Sequence, residues 1–140
     1  MKLIPIADHN EHAKVLDLGL AIIEGETIDD VQVLGGKGHV VGTFDYIAPE
    51  QSRDAAKVGP RADIYALGCS IYFALTGRPP FPSGTSKEKI HAHRHQEPEP
   101  IQKLNPTVPE DFANLVHQLM AKQPEQRPAS MAAVRALLLP

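Results

Sequence analysis

Val41-Gly42-Thr43-Phe44-Asp45-Tyr46-Ile47-Ala48-Pro49-Glu50 is the stretch on which the fold of this chain turns. Upstream of it stands Val15-Leu16-Asp17-Leu18-Gly19-Leu20-Ala21. Residues 24–39 lie between the two and carry Gly25, Gly35, Gly36 and Gly38 among scattered acids. Glycines at that density disfavour a regular element, and the composition predicts a mobile loop. Further upstream, the short apolar runs Leu3 to Ile6 and Ala13 to Leu16 flank Asp8-His9-Asn10-Glu11-His12, which is rich in turn formers. That pattern predicts a β-hairpin, with Pro5 confining its strand to an edge.

Downstream the periodicity changes to that of helices. Ile64 to Leu75 is the most apolar segment, and Ile64, Leu67, Ile71 and Leu75 form a stripe at helical spacing. Ala66, Cys69, Phe73 and Ala74 fill its other sides, which predicts a helix buried nearly all round, with Asp63 as its N-cap. Gly77 and Pro79-Pro80 end it. A short helix is read from Ser86 to about Arg94, and the proline-rich stretch from Pro98 to Pro109 as extended chain. Glu110 to Lys122 carries Phe112, Leu115, Val116, Leu119 and Met120 on one helical face. Pro124 and Pro128 bracket a loop. Ser130 then caps a last helix expected to bury Met131, Val134, Leu137 and Leu138.

Length and composition suit one soluble globular domain: 140 residues, 42% hydrophobic and 22% charged. A net charge of −3 and the lack of any basic run speak against a nucleic-acid partner. The single cysteine, Cys69, excludes a disulfide within the chain and is read as inert core. Met1-Lys2-Leu3-Ile4-Pro5-Ile6 reads as too short and too soon polar for a signal peptide, and no apolar run in the sequence approaches the ~20 residues that span a bilayer. His91, His93 and His95 invite a metal reading, with His91 and His95 on one helix face. Structural zinc takes four protein ligands, however, and the segment is read as a solvated helix end.

The two motifs quoted first resemble the ends of the activation segment of eukaryotic-type protein kinases. That pattern is Asp-Phe-Gly, a variable loop, then Gly-Thr-x-x-Tyr-x-Ala-Pro-Glu. Asp63-Ile64-Tyr65-Ala66-Leu67-Gly68 resembles the Asp-x-x-x-x-Gly start of the family's central buried helix. Gly77-Arg78-Pro79-Pro80-Phe81 resembles the segment after that helix, and Pro124-Glu125-Gln126-Arg127-Pro128 the arginine motif before the final one. These motifs fall in the family's order and cover nearly the whole chain. Gln51 and the short linkers resemble bacterial members. The resemblance implies a mostly α fold from an α+β parent. It would be a partial C-terminal lobe over residues 1–140, with a short β-hairpin, an activation segment and about four helices around a central buried helix. The family's glycine-rich loop, strand lysine, helix glutamate and His-Arg-Asp catalytic loop have no counterpart here, so the chain is expected to be a truncated domain.

The resemblance also assigns roles. Asp17 corresponds to the magnesium ligand, with Gly19 beside it in the ATP site, and a carboxylate oxygen suits a hard cation. Leu18 replaces the usual Phe in an apolar slot. Thr43 corresponds to the substrate-loop threonine that bonds the catalytic aspartate, and favours serine/threonine specificity. Glu50 and Arg127 correspond to a buried ion pair that fixes the activation segment to the helical lobe, a structural role for a planar guanidinium fork. The family counterpart of Asp63 bonds the catalytic loop. Here a partly buried carboxylate titrating high and a simple helix cap both remain open. Thr27 is the candidate phosphosite in the loop.

The implied function is a serine/threonine protein kinase that uses ATP and Mg2+ to phosphorylate protein hydroxyls in the cytoplasm. The 140-residue polypeptide is expected to be inactive alone and to bind neither cofactor. The alternatives are a non-catalytic, pseudokinase-like module that docks a protein partner, and a truncated gene relic.

Overall fold

Helix α1, Arg61–Thr76, carries the apolar stripe around which the other elements gather. The computed structural model describes residues 44–53 and 58–138. The expected β-hairpin and the glycine-rich loop lie outside them. α1 begins three residues before the position read from sequence. Pro60 stands at its N-cap, and the Ala62 and Asp63 amides donate to Gly59 and Pro60 oxygens at 3.0 and 3.2 Å. Asp63 is therefore neither the N-cap nor a buried carboxylate. It is exposed in the first turn, where an acid suits the helix dipole.

The buried face of α1 is Ala62, Ile64, Tyr65, Gly68, Cys69 and Tyr72. Burial is not all round, as Phe73 remains 44% exposed. Gly77 ends the helix at φ 74°, a left-handed conformation in which a side chain would be strained, and its amide donates to Phe73 O at 2.8 Å. The Asn105 side-chain amide donates to Leu75 O at 2.9 Å, occupying one of the carbonyls the helix end leaves open.

Four more helices follow: α2 (Ser86–His95), α3 (Ile101–Leu104), α4 (Glu110–Leu119) and α5 (Met131–Leu138). α2 starts at a reciprocal cap. The Thr85 hydroxyl accepts from the Glu88 amide at 3.4 Å, and Glu88 Oε2 accepts from the Thr85 amide at 2.7 Å. Thr85-Ser86-Lys87-Glu88 is thus a legible capping box. α3 interrupts the stretch read as extended. Pro100 enters its single turn without needing a donor, and the turn places Ile101 fully in the core. α4 ends at Leu119, three residues early, where the Met120 amide is shared between Val116 and His117 oxygens at 3.3 and 3.1 Å.

α4 packs along α1, and α3 closes one end of the pair. The main core joins Tyr65, Cys69 and Tyr72 to Ile101, Val108, Ala113, Val116 and Met120. A second cluster joins Ile64, Leu119 and Val134. Ser130 caps α5 through the Ala133 amide at 3.2 Å. Of the four residues expected to be buried there, only Val134 is. Met131, Leu137 and Leu138 are 46%, 56% and 42% exposed, because one stripe of so short a helix meets the core.

Tight packing of α1 against the end of α4 explains Gly68. A Cβ at that position would lie 2.8 Å from both Leu119 Cβ and Met120 Cγ. Alanine would gain about 1 kcal/mol of helix propensity, but the overlap costs about 1–3 kcal/mol and Leu119 Cβ cannot swing away. Gly68→Ala is expected to be net destabilising. A urea midpoint at or above that of the wild type would contradict this packing.

Candidate functional site

The segment Phe44–Ser52 is built from two short 3-10 turns, Phe44–Tyr46 and Pro49–Ser52. Ile47, Ala48 and Pro49 between and within them are buried. Proline opens the second turn without wasting a donor. The Gln51 side chain accepts from the Ala48 amide at 2.8 Å, and Ser52 Oγ donates to Pro49 O at 2.8 Å. Locally, then, the segment is a rigid corner that turns Glu50 toward the helices.

Arg127 receives it. Nη1 and Nη2 donate to Glu50 Oε1 and Oε2 at 2.7 and 2.9 Å, a bidentate fork. The remaining N–H groups go to carbonyls: Nη1 to Arg61 O at 2.9 Å, Nε to Ala121 O at 2.8 Å and Nη2 to Lys122 O at 3.4 Å. The guanidinium carbon also lies 4.8 Å from the Tyr65 ring centroid. Arg127 is 3% exposed, and the Glu50 side chain 18%. One side chain so ties together the Pro49–Ser52 turn, the start of α1 and the chain after α4.

α2 holds the same segment from another side. Lys89 pairs with Asp45, and Arg94 bonds Ser52 through both its hydroxyl, at 2.7 Å, and its carbonyl. His93 is not part of a solvated helix end. It is fully buried, with the Tyr65 phenol oxygen 2.7 Å from Nδ1. Burial, then the nearby Lys122, pushes the His93 imidazole down to about 4, and the Phe44 and Asp45 backbone only partly opposes this. Burial likewise raises Tyr65, so a neutral phenol meets a neutral ring. His93 Nε2 and Lys122 Nζ, both buried, have no hydrogen-bond partner among the described residues. Lys122 lies 5.1 Å from the Phe81 ring centroid and is lowered mainly by burial. Burial also pushes the Cys69 thiol up to about 12, so it stays protonated.

Of the site residues read from sequence, Glu50 and Arg127 meet, and Asp63 stands apart on the exposed side of α1. Asp17, Gly19, Thr27 and Thr43 lie outside the described residues. Sequence reasoning missed Tyr65, Lys89, His93 and Arg94. Lys89 and His93 share a helix face at i, i+4, but nothing local says that this face meets a segment some forty residues upstream.

The family model described as protein kinase domain matches residues 4–138. The chain is 33% identical over 130 residues to serine/threonine-protein kinase PknB of Mycolicibacterium smegmatis, covering 93% of this chain and 20% of that protein. It is 38% identical over 125 residues to Pkn1 of Myxococcus xanthus, also named a serine/threonine-protein kinase, covering 89% and 17%. With pkn3 of Myxococcus xanthus the identity is 35% over 136 residues, covering 96% and 24%. The chain thus spans a quarter or less of the length of these curated relatives.

Proposed function

Because the chain belongs to the protein kinase family, we propose that it forms part of the C-terminal lobe of a serine/threonine kinase transferring the ATP γ-phosphoryl group to protein hydroxyls. The observation that carries this reading is the bidentate pairing of Glu50 with Arg127. It fixes the end of the segment begun by Gly42-Thr43 against a helical core. Catalysis of this type rests largely on positioning, which an anchored segment supplies. The names of the bacterial relatives support the serine/threonine choice.

Under this reading Asp17 is the magnesium ligand, since its carboxylate is the hard oxygen donor that cation prefers. Gly19 would belong to the same cofactor site, Thr43 would position the acceptor, and Thr27 would be a regulatory phosphosite. The bound ion would neutralise charge on the phosphate oxygens. Among the described residues no helix is long and apolar enough to cross a membrane. A cytoplasmic location and a protein substrate belong to the proposal.

The test is transfer of label from γ-labelled ATP with Mg2+ to a degenerate serine/threonine peptide library. The assayed protein is the whole product of the gene that encodes these residues. Labelled phosphoserine or phosphothreonine that disappears on Asp17→Asn is the expected result. Label on tyrosine alone, or none from the wild-type product, overturns the reading. The 140-residue polypeptide alone is expected to transfer none.

A further inference from the structure

His91 and His95 stand one turn apart on the exposed face of α2. Their ring centroids are 4.8 Å apart and their planes are inclined by 47°. Residues at i and i+4 are stacked neighbours on a helix. Two histidines at this i, i+4 spacing are the pairing that metal-binding helices use. No described residue hydrogen-bonds either ring, in contrast to His93 between them, which is buried against Tyr65. The backbone beneath is already fixed by the Thr85–Glu88 cap at one end and by the bonds of Lys89 and Arg94 to the Phe44–Ser52 segment. A ligand would have to order the two side chains but not the backbone that carries them.

We propose that His91 and His95 form a bidentate, solvent-open site for a divalent first-row transition cation, filled most tightly by Cu2+ and less tightly by Ni2+ and Zn2+. Imidazole nitrogen suits these ions, whereas Mg2+ and Ca2+ prefer oxygen. Two protein ligands leave the other positions to water. Among the described residues no group of three or more His, Cys, Asp or Glu side chains is placed to hold a metal. The site is therefore exchangeable, unlike a closed structural zinc site. A cation bound there bridges one turn of α2 and stabilises the folded chain by mass action. It shares no residue with the Glu50–Arg127 anchor and is independent of the kinase reading.

The experiment is calorimetric titration of the 140-residue chain with Cu2+ in a non-coordinating buffer at neutral pH, beside His91→Asn, His95→Asn and the double variant. Both side chains are exposed, and unchanged circular dichroism verifies that the variants fold. The wild type is expected to take up one more Cu2+ than the double variant. Each single variant should bind that ion about tenfold or more weakly, because one arm of the chelate is gone. Cu2+ should raise the melting temperature of the wild type but not of the double variant, and Mg2+ should raise neither. Equal stoichiometry and equal melting shifts in wild type and double variant would overturn the proposal and assign any uptake to other histidines.

Discussion

Arg127→Ala is expected to cost about 3–5 kcal/mol of unfolding free energy, a large share of the roughly 5–15 kcal/mol that a domain possesses. In a domain of this size the melting temperature should fall by about 10 °C or more. The deletion leaves Glu50 without its fork and strips a donor from three carbonyls, those of Arg61, Ala121 and Lys122. An unmade hydrogen bond at a buried group costs more than a made one contributes. This gives an internal check. Glu50→Ala removes only the carboxylate, which is partly exposed, and leaves the three carbonyl bonds in place. It strands a guanidinium whose side chain is 0% exposed without its counter-charge, so it should also be strongly destabilising, by a loss comparable to that of Arg127→Ala. The double variant should be little worse than Arg127→Ala alone, since the two side chains share one interaction. Thermal melts of the three variants decide the matter. An unchanged melting temperature in Arg127→Ala, or single-variant losses that add in full in the double variant, would remove the network from the account of how the Phe44–Ser52 corner is held.

The Glu50–Arg127 pair was legible through the family resemblance, because both charges sit in recognisable motifs at Pro49-Glu50 and Arg127-Pro128, whereas the bonds of Arg127 to three carbonyls were not. The helices were readable for a different reason. Their apolar spacing survives in α1 and α4, and Gly77 marks the end of α1 by a conformation other residues avoid. What failed was whatever depends on partners distant in sequence. Met131, Leu137 and Leu138 have the right spacing for a buried face, yet only the stripe of Val134 meets Ile64 and Leu119. Asp63 looks like a cap until Pro60 proves able to start the helix. His93 carries no local mark that separates it from His91 and His95. Only the arrival of Tyr65 and Phe81 against that face of α2 makes one histidine core and leaves its neighbours in solvent.

The same burial predicts an acid sensitivity. His93 has an ordinary value of 6.5, depressed to about 4 in the folded chain. Between those values the unfolded chain binds a proton that the folded chain refuses, so stability falls as pH is lowered through this window. The loss approaches about 1.4 kcal/mol per pH unit and totals about 3 kcal/mol by the lower limit, beyond which it levels off. The groups facing the ring set the sign. Lys122, from the chain after α4, opposes a second positive charge, Asp45 and the Phe44 backbone favour it, and Tyr65 and Phe81 supply apolar walls. Burial also lowers His117, which adds to the slope in the wild type and in any His93 variant alike. The informative quantity is therefore a difference. Urea midpoints measured from about pH 7 to about pH 4.5 should fall steeply for the wild type and less steeply for His93→Gln, which starts lower at neutral pH but has no ring to protonate. Parallel profiles would mean that His93 takes up its proton as readily in the fold as outside it. The contact between α2 and the Phe44–Tyr46 turn would then owe nothing to a neutral imidazole.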